Sequence, residues 1–275
     1  MKKHTGLFVI LSACLAVGLV ITLLSLMQPK YPKAQSTHIP TVFIHGYNGN
    51  ERTFGGMINR FQSQFDWASN TQTLRVDTDG TVNAVGTFDK DSLNPLINVT
   101  FASNKENLKT QAGYIKNIMT YLAEENHIKK VNFVTHSMGG SALTVFIALN
   151  HQNAELPQLN KLVYLGVPLA ANDYTNKVKS QEKATAKMSQ LMAENLPKST
   201  ALLIVAGYTS QAVGGDGSVS LESALLAEEI FKKSPIQTQI IKGEAGLHSL
   251  LHENSTVDCR IGQFLWSVPQ TKLKN

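Results

Sequence analysis

Six short apolar runs, separated by stretches with helical spacing, constrain this chain more than any other feature. They are TVFI (41–44), TLRV (73–76), VNFV (131–134), KLVYLG (161–166), ALLIVA (201–206) and IQTQII (236–241). Alternation of this kind is the signature of a parallel sheet flanked by helices, so an α/β fold is expected. Between the runs, residues 105–125 place Leu108, Ala112, Ile115, Ile118 or Met119, and Leu122 at three- and four-residue intervals, which makes one apolar helix face. Residues 139–150 and 255–267 show the same spacing. Two insertions interrupt the alternation. Residues 78–101 carry TDG, TVNAVGTF and LINVTF, which read as a β-hairpin or added strands. Residues 170–197, rich in Lys, Gln and Ala, follow a strand and read either as a small helical lid or as a solvated crossover helix.

The N-terminal segment differs from the rest. Gly6 to Met27 carry no charge and are mostly Leu, Val, Ile and Ala. As a helix these residues would span about 33 Å, enough to cross a bilayer core. Lys2 and Lys3 favour keeping the N-terminal end in the cytoplasm, which puts the remainder outside the membrane. An uncleaved anchor over residues 1–30 is the expectation. A cleaved signal peptide and a lipoprotein modified at Cys14 of LSAC stay open, and all three place the body outside the cytoplasm. Residues 31–40, with Pro32 and Pro40, read as an extended linker, and 41–275 as a single catalytic domain.

Charge excludes one class of partner. Of the 25 Lys and Arg, Lys2, Lys3 and Lys30 belong to that segment, leaving 22 basic against 20 acidic residues in the body. A near-neutral body lacks the concentrated basic face that nucleic acid requires. Of the two cysteines only Cys259 lies in the body, so no internal disulfide is expected.

Two stretches carry chemistry. VNFVTHSMGG (131–140) is an apolar run that ends at Ser137 among small residues and opens a helix at Gly139-Gly140. A serine hydroxyl is a poor nucleophile until a base takes its proton, and a strained strand–turn–helix elbow is one way to present it. The usual string is G-x-S-x-G. Here Thr135 stands where the first glycine should be. The second stretch, PTVFIHGYNGN (40–50), is a short strand followed by a glycine-bearing loop.

Taken together, His45-Gly46-Tyr47-Asn48-Gly49 and Thr135-His136-Ser137-Met138-Gly139-Gly140 resemble the alpha/beta-hydrolase superfamily. More narrowly, with GDGSVSLESAL (215–225), HSLLHEN (248–254) and FLW (264–266), the chain resembles a cell-surface hydrolase family of Gram-positive bacteria over residues 38–268. The resemblance implies a mostly parallel central sheet and a Ser, acid, His order along the chain. It puts the nucleophile at Ser137, the acid at Asp216 with Asp173 as runner-up, and the base at His248 with His252 as competitor. The amides of Tyr47 and Met138 would hold the oxyanion. His45 would order the oxyanion loop, His136 would pack behind the elbow, and His252 would be a structural hydrogen-bonding residue. The zinc-protease string H-E-x-x-H is absent, and no cofactor or metal is called for.

The expected function is a membrane-anchored extracellular serine hydrolase acting on a small-molecule or lipid-like ester. An acyltransferase or peptidase on the same triad remains an alternative, as does a surface binding protein without turnover. Oligomeric state is not legible.

Overall fold

The computed structural model describes residues 31–69, 71–150, 153–170 and 177–270. The apolar segment 6–27 lies outside them, as does Asp173. Eight strands form one sheet: β1 (Thr41–Ile44), β2 (Thr71–Val76), β3 (Val82–Val85), β4 (Leu96–Phe101), β5 (Lys130–His136), β6 (Gln158–Leu165), β7 (Ala201–Tyr208) and β8 (Ile236–Lys242). Their order is β3-β2-β4-β1-β5-β6-β7-β8. All neighbours are parallel except the edge pair β2–β3.

Side chains of successive strand residues point to opposite faces, and the sheet buries both. Val42, Ile44, Phe133, Leu162 and Ile204 enter one core, under α2 (Leu108–Glu124), α3 (Met138–Leu149), α4 (Lys177–Asn195) and α5 (Leu221–Ile230). Phe43, Val134, Val163, Leu165 and Val205 enter the other, under α1 (Arg52–Asn59) and α6 (Ser255–Trp266). Local chemistry starts the helices where they start. The Asn107, Ser220 and Asn254 side chains each accept a hydrogen bond from a backbone N–H in the first turn of α2, α5 and α6. At the other end of α6, Lys161 Nζ donates to the carbonyls of Phe264 and Leu265, capping groups that the helix leaves unpaired.

The insertions resolve as follows. Residues 78–101 are added strands: β3 makes the antiparallel edge, while β4 crosses back between β2 and β1. Helix α4 connects β6 to β7, and its Met188, Leu191 and Met192, with Leu196 beyond it, pack on the shared core. This is the crossover reading of that segment. Residues 31–40 are extended but fastened down. The Tyr31 ring sits edge-on to Phe65 at 4.6 Å, Trp67 Nε1 donates to the Pro32 carbonyl, and Gln35 N donates to the Trp266 carbonyl.

Helix α1 continues into a π-helical turn, Arg60–Gln64. Arg60 spans to α6, where its Nε and Nη2 meet the two carboxylate oxygens of fully buried Asp258, while Nη1 meets Glu253 at 3.0 Å. Burial raises the Asp258 carboxyl to about 6 even though the Arg60 bonds pull it down, so the pair is ionised at neutral pH. Removing one partner of such a pair leaves an uncompensated charge. Asp258→Ala should therefore lower the unfolding free energy by about 3 kcal/mol. Adding Arg60→Met should recover part of that loss, as read from urea midpoints.

Candidate active site

The three residues of the expected triad all lie at the C-terminal ends of strands, where parallel α/β sheets bind their ligands. Ser137 follows β5, Asp216 follows β7 and His248 follows β8. Ser137 sits at the N-cap of α3 with φ 53° and ψ −131°. That positive-φ region resists side-chain-bearing residues, costs roughly 1–3 kcal/mol, and persists only where the surroundings impose it. They do. Ser137 N donates to the Leu165 carbonyl at 2.9 Å, and buried strand and helix fix the turn on both sides.

Two glycines make that turn fit. A Cβ on Gly139 would overlap the carbonyl oxygens of Ile44 and His45, and one on Gly46 would come within 2.8 Å of Ser137 Cβ. A third explains the misfit at Thr135. The fully buried Thr135 side chain donates to the Val163 carbonyl at 3.2 Å. Its Oγ1 lies 2.8 Å from where a Cβ at Gly140 would be. The oversized residue two before the serine is accommodated by a missing side chain three after it.

The expected acid and base meet. His248 Nδ1 is 2.7 Å from Asp216 Oδ2. Asp216 Oδ1 accepts from the amides of Ser218 (2.9 Å) and Val219 (2.6 Å), and His248 N donates to the Asp216 carbonyl. Burial works to raise the Asp216 carboxyl, but the His248 ring and the two amides outweigh it, and the net direction is down. An ionised Asp216 accepts the Nδ1–H and leaves Nε2 as the free base nitrogen.

Ser137 and His248 line one cleft of about 430 Å³ with Gly46, Tyr47, Thr53 and His136 among its walls. Tyr47, 60% exposed, lines the cleft, and Met138 is the first residue of α3. Neither of these two amides donates to a backbone carbonyl among the described residues. They are donors available to an anion at the helix start.

Each further histidine is bonded differently. His45 Nε2 accepts from the Phe101 amide at 3.1 Å, so Nδ1 carries the hydrogen and donates to the Gly46 carbonyl at 2.8 Å. The ring thereby ties the loop to β4, the ordering role expected of it. Burial lowers its pKa against the opposing Gly46 bond. His136 bonds through Nε2 to the His248 carbonyl at 3.1 Å, and its ring lies 4.4 Å from that of His248. Burial first, then the neighbouring rings of His248 and His252, push its pKa down to about 3. His248, not His252, is the histidine bonded to Asp216.

His252 makes the structural hydrogen bonding expected of it and also reaches the cleft. Its carbonyl accepts from Arg60 Nη2 at 2.9 Å, and the residue lines the cleft. Sequence reasoning missed that role, as it missed Thr53 and Ser218, which also line the cleft. The four-residue spacing of His248 and His252 was the available signal.

Residues 28–268 match the family described as "Alpha/beta hydrolase of unknown function (DUF915)". Among solved structures, a gene product of Listeria innocua superposes with a TM-score of 0.73 at 22% identity, covering 84% of this chain and 95% of that one. A Lactobacillus plantarum protein, assigned by inference as a cell surface hydrolase, gives 0.67 at 21% identity, covering 85% and 93%. Both likenesses concern the fold. The family match spans most of the chain, and the chain belongs to that alpha/beta-hydrolase family.

Two outcomes follow from this geometry. Thr135→Gly should keep the rate of Ser137 labelling by a fluorophosphonate within about threefold while costing about 1–2 kcal/mol of stability, from a lost buried hydrogen bond and a flexible strand end. A collapse of labelling in a folded variant would count against the Thr135–Gly140 account. For pH, the folded state refuses at His136 a proton that the unfolded chain accepts at its ordinary value of 6.5. That stability is full above about pH 6.5 and is lost as pH falls toward 3. Between pH 7 and 5 the loss from His136 alone should be about 2 kcal/mol, and His136→Gln should flatten the pH dependence of the urea midpoint.

Proposed function

We propose that this alpha/beta hydrolase is a serine hydrolase that cleaves carboxylic esters through an acyl-enzyme. The observation that carries the proposal is the 2.7 Å Asp216–His248 bond in a cleft shared with Ser137, itself held at positive φ. In the first half-reaction His248 Nε2 takes the Ser137 proton as Oγ attacks the ester carbonyl. The oxygen that gains the negative charge is met by the Met138 and Tyr47 amides. One such preset donor is worth about 3–4 kcal/mol in a measured case. Collapse expels the alcohol, which takes the proton from His248. Water, deprotonated by the same nitrogen, then releases the acid and restores Ser137. Asp216 stays ionised throughout, holding the ring in one tautomer and favouring the imidazolium.

The site of action belongs to the same proposal. An anchor formed by residues 6–27 would hold the body at the outer face of the membrane, which agrees with the cell-surface assignment of the Lactobacillus plantarum neighbour.

Ser137→Ala should abolish both fluorophosphonate labelling and hydrolysis of p-nitrophenyl acetate. Asp216→Asn should lower kcat by about 10³–10⁴-fold with little change in KM. Labelling that persists in Ser137→Ala would overturn the assignment.

A further inference from the structure

The cleft is unusual in what it lacks. Among the described residues it is lined by three histidines, Ser137, Ser218, Thr53, Tyr47 and two glycines, with no Leu, Ile, Val, Met or Phe. A pocket for a long acyl chain needs a continuous apolar lining, because each buried methylene gains its energy only from apolar surface removed from water. The hydroxyls and imidazoles among these residues can also hydrogen-bond a substrate.

One of the walls is held with particular care. The His252 side chain is 12% exposed. Its Nδ1 is sealed from solvent without a close hydrogen bond and faces Glu253 Oε1 at 3.4 Å. Facing a carboxylate, Nδ1 is the nitrogen that holds the hydrogen, which makes Nε2 an acceptor. The residue lines the cleft, so Nε2 is the nitrogen left for a bound molecule. Its neutral form is favoured first by burial, with His248 and Arg60 acting the same way and Glu253 opposing. Arg60 fixes the arrangement from the π turn: one guanidinium nitrogen holds the His252 carbonyl, another holds Glu253, and Nε anchors on Asp258. The ring also stands edge-on to His136 at 4.8 Å. A half-buried imidazole beside His136, with its residue held through the backbone by Arg60 and an acceptor nitrogen at the cleft, is suited to receive a hydroxyl hydrogen.

We propose that His252 is a specificity residue that accepts a hydrogen bond from a substrate hydroxyl, so that the enzyme prefers small, hydroxyl-bearing esters to aliphatic or lipid-like ones. This rests on the serine-hydrolase reading and narrows its substrate class. A site built to bond a hydroxyl discriminates against the analogue lacking it, because its own acceptor is then left buried and unpaired.

The test compares glycerol monoacetate with propyl acetate on the full chain, as a ratio of kcat/KM. The wild type should favour the hydroxylated ester by about tenfold or more. In His252→Phe, which keeps a flat ring against His136, the ratio should fall toward one, chiefly through KM for glycerol monoacetate. His252→Gln, which restores an acceptor, should recover part of it. A wild-type ratio near one overturns the inference whether or not either variant folds, and so does a ratio that His252→Phe leaves intact. Fluorophosphonate labelling of wild-type Ser137 separates the two claims. Labelling with a ratio near one removes only the hydroxyl preference, whereas no labelling removes the hydrolase reading on which it stands.

Discussion

The backbone of Ser137 is the constraint on which the rest of the site depends. A residue with a side chain enters that positive-φ conformation only when everything around it leaves no alternative. Here the alternatives are removed by burial on both sides: β5 lies between β1 and β6 in the middle of the sheet, and α3 starts directly after the serine with its first turns buried. Close approach then sets the composition of the neighbours. Gly46 and Gly139 let the β1 loop and the start of α3 pass within van der Waals distance, which sets Tyr47 beside the serine. The sheet therefore does more than display a hydroxyl. It presses two loops together until backbone groups from both face the same space.

Electrostatics complete what the backbone begins, and they do so by keeping charge scarce. Three histidines besides His248 lie near the cleft, and burial drives the pKa of each downward. Neutral rings around His248 add little standing positive charge to compete with a proton arriving there. Ionised groups gather in two places. Asp216 is saturated by His248 and two backbone amides, while Asp258 and Glu253 are both met by Arg60. The Arg60 cluster lies behind the cleft wall and joins α1 to α6, which together make up the helical cover of one sheet face.

Strands buried on both faces were the most legible part of the chain, because a short continuous apolar run bounded by turn residues fits little else. Edge strand β3 was less so, since Asn83, Ala84 and Val85 are exposed and carry no burial pattern. Helix α5 went unseen because Leu221, Ala224, Leu225, Leu226, Ala227 and Ile230 do not gather into one stripe, and its first residues fall inside GDGSVSLESAL (215–225), read only as a motif of the resemblance. The order of Ser137, Asp216 and His248 along the chain was readable, but contact between residues far apart was not. That Thr135 fits because Gly140 is bare depends on a turn that folds one over the other. That His252 faces the cleft depends on Arg60, 192 positions earlier in the chain. Periodicity describes one element at a time, and these features exist only between elements.

Residues 31–40 reach the body at the end of the sheet opposite the cleft. Tyr31 and Pro32 are fastened beside Phe65 and Trp67, past the far end of α1, and Gln35 is fastened to the last residue of α6. Both helices run back from the strand ends that carry the cleft, so their far ends mark the base of the sheet. Because this stretch is bonded down over its length, it cannot swivel freely about β1. Force applied at Tyr31 would be borne by the base of the domain, at the end of the sheet opposite the mouth of the cleft.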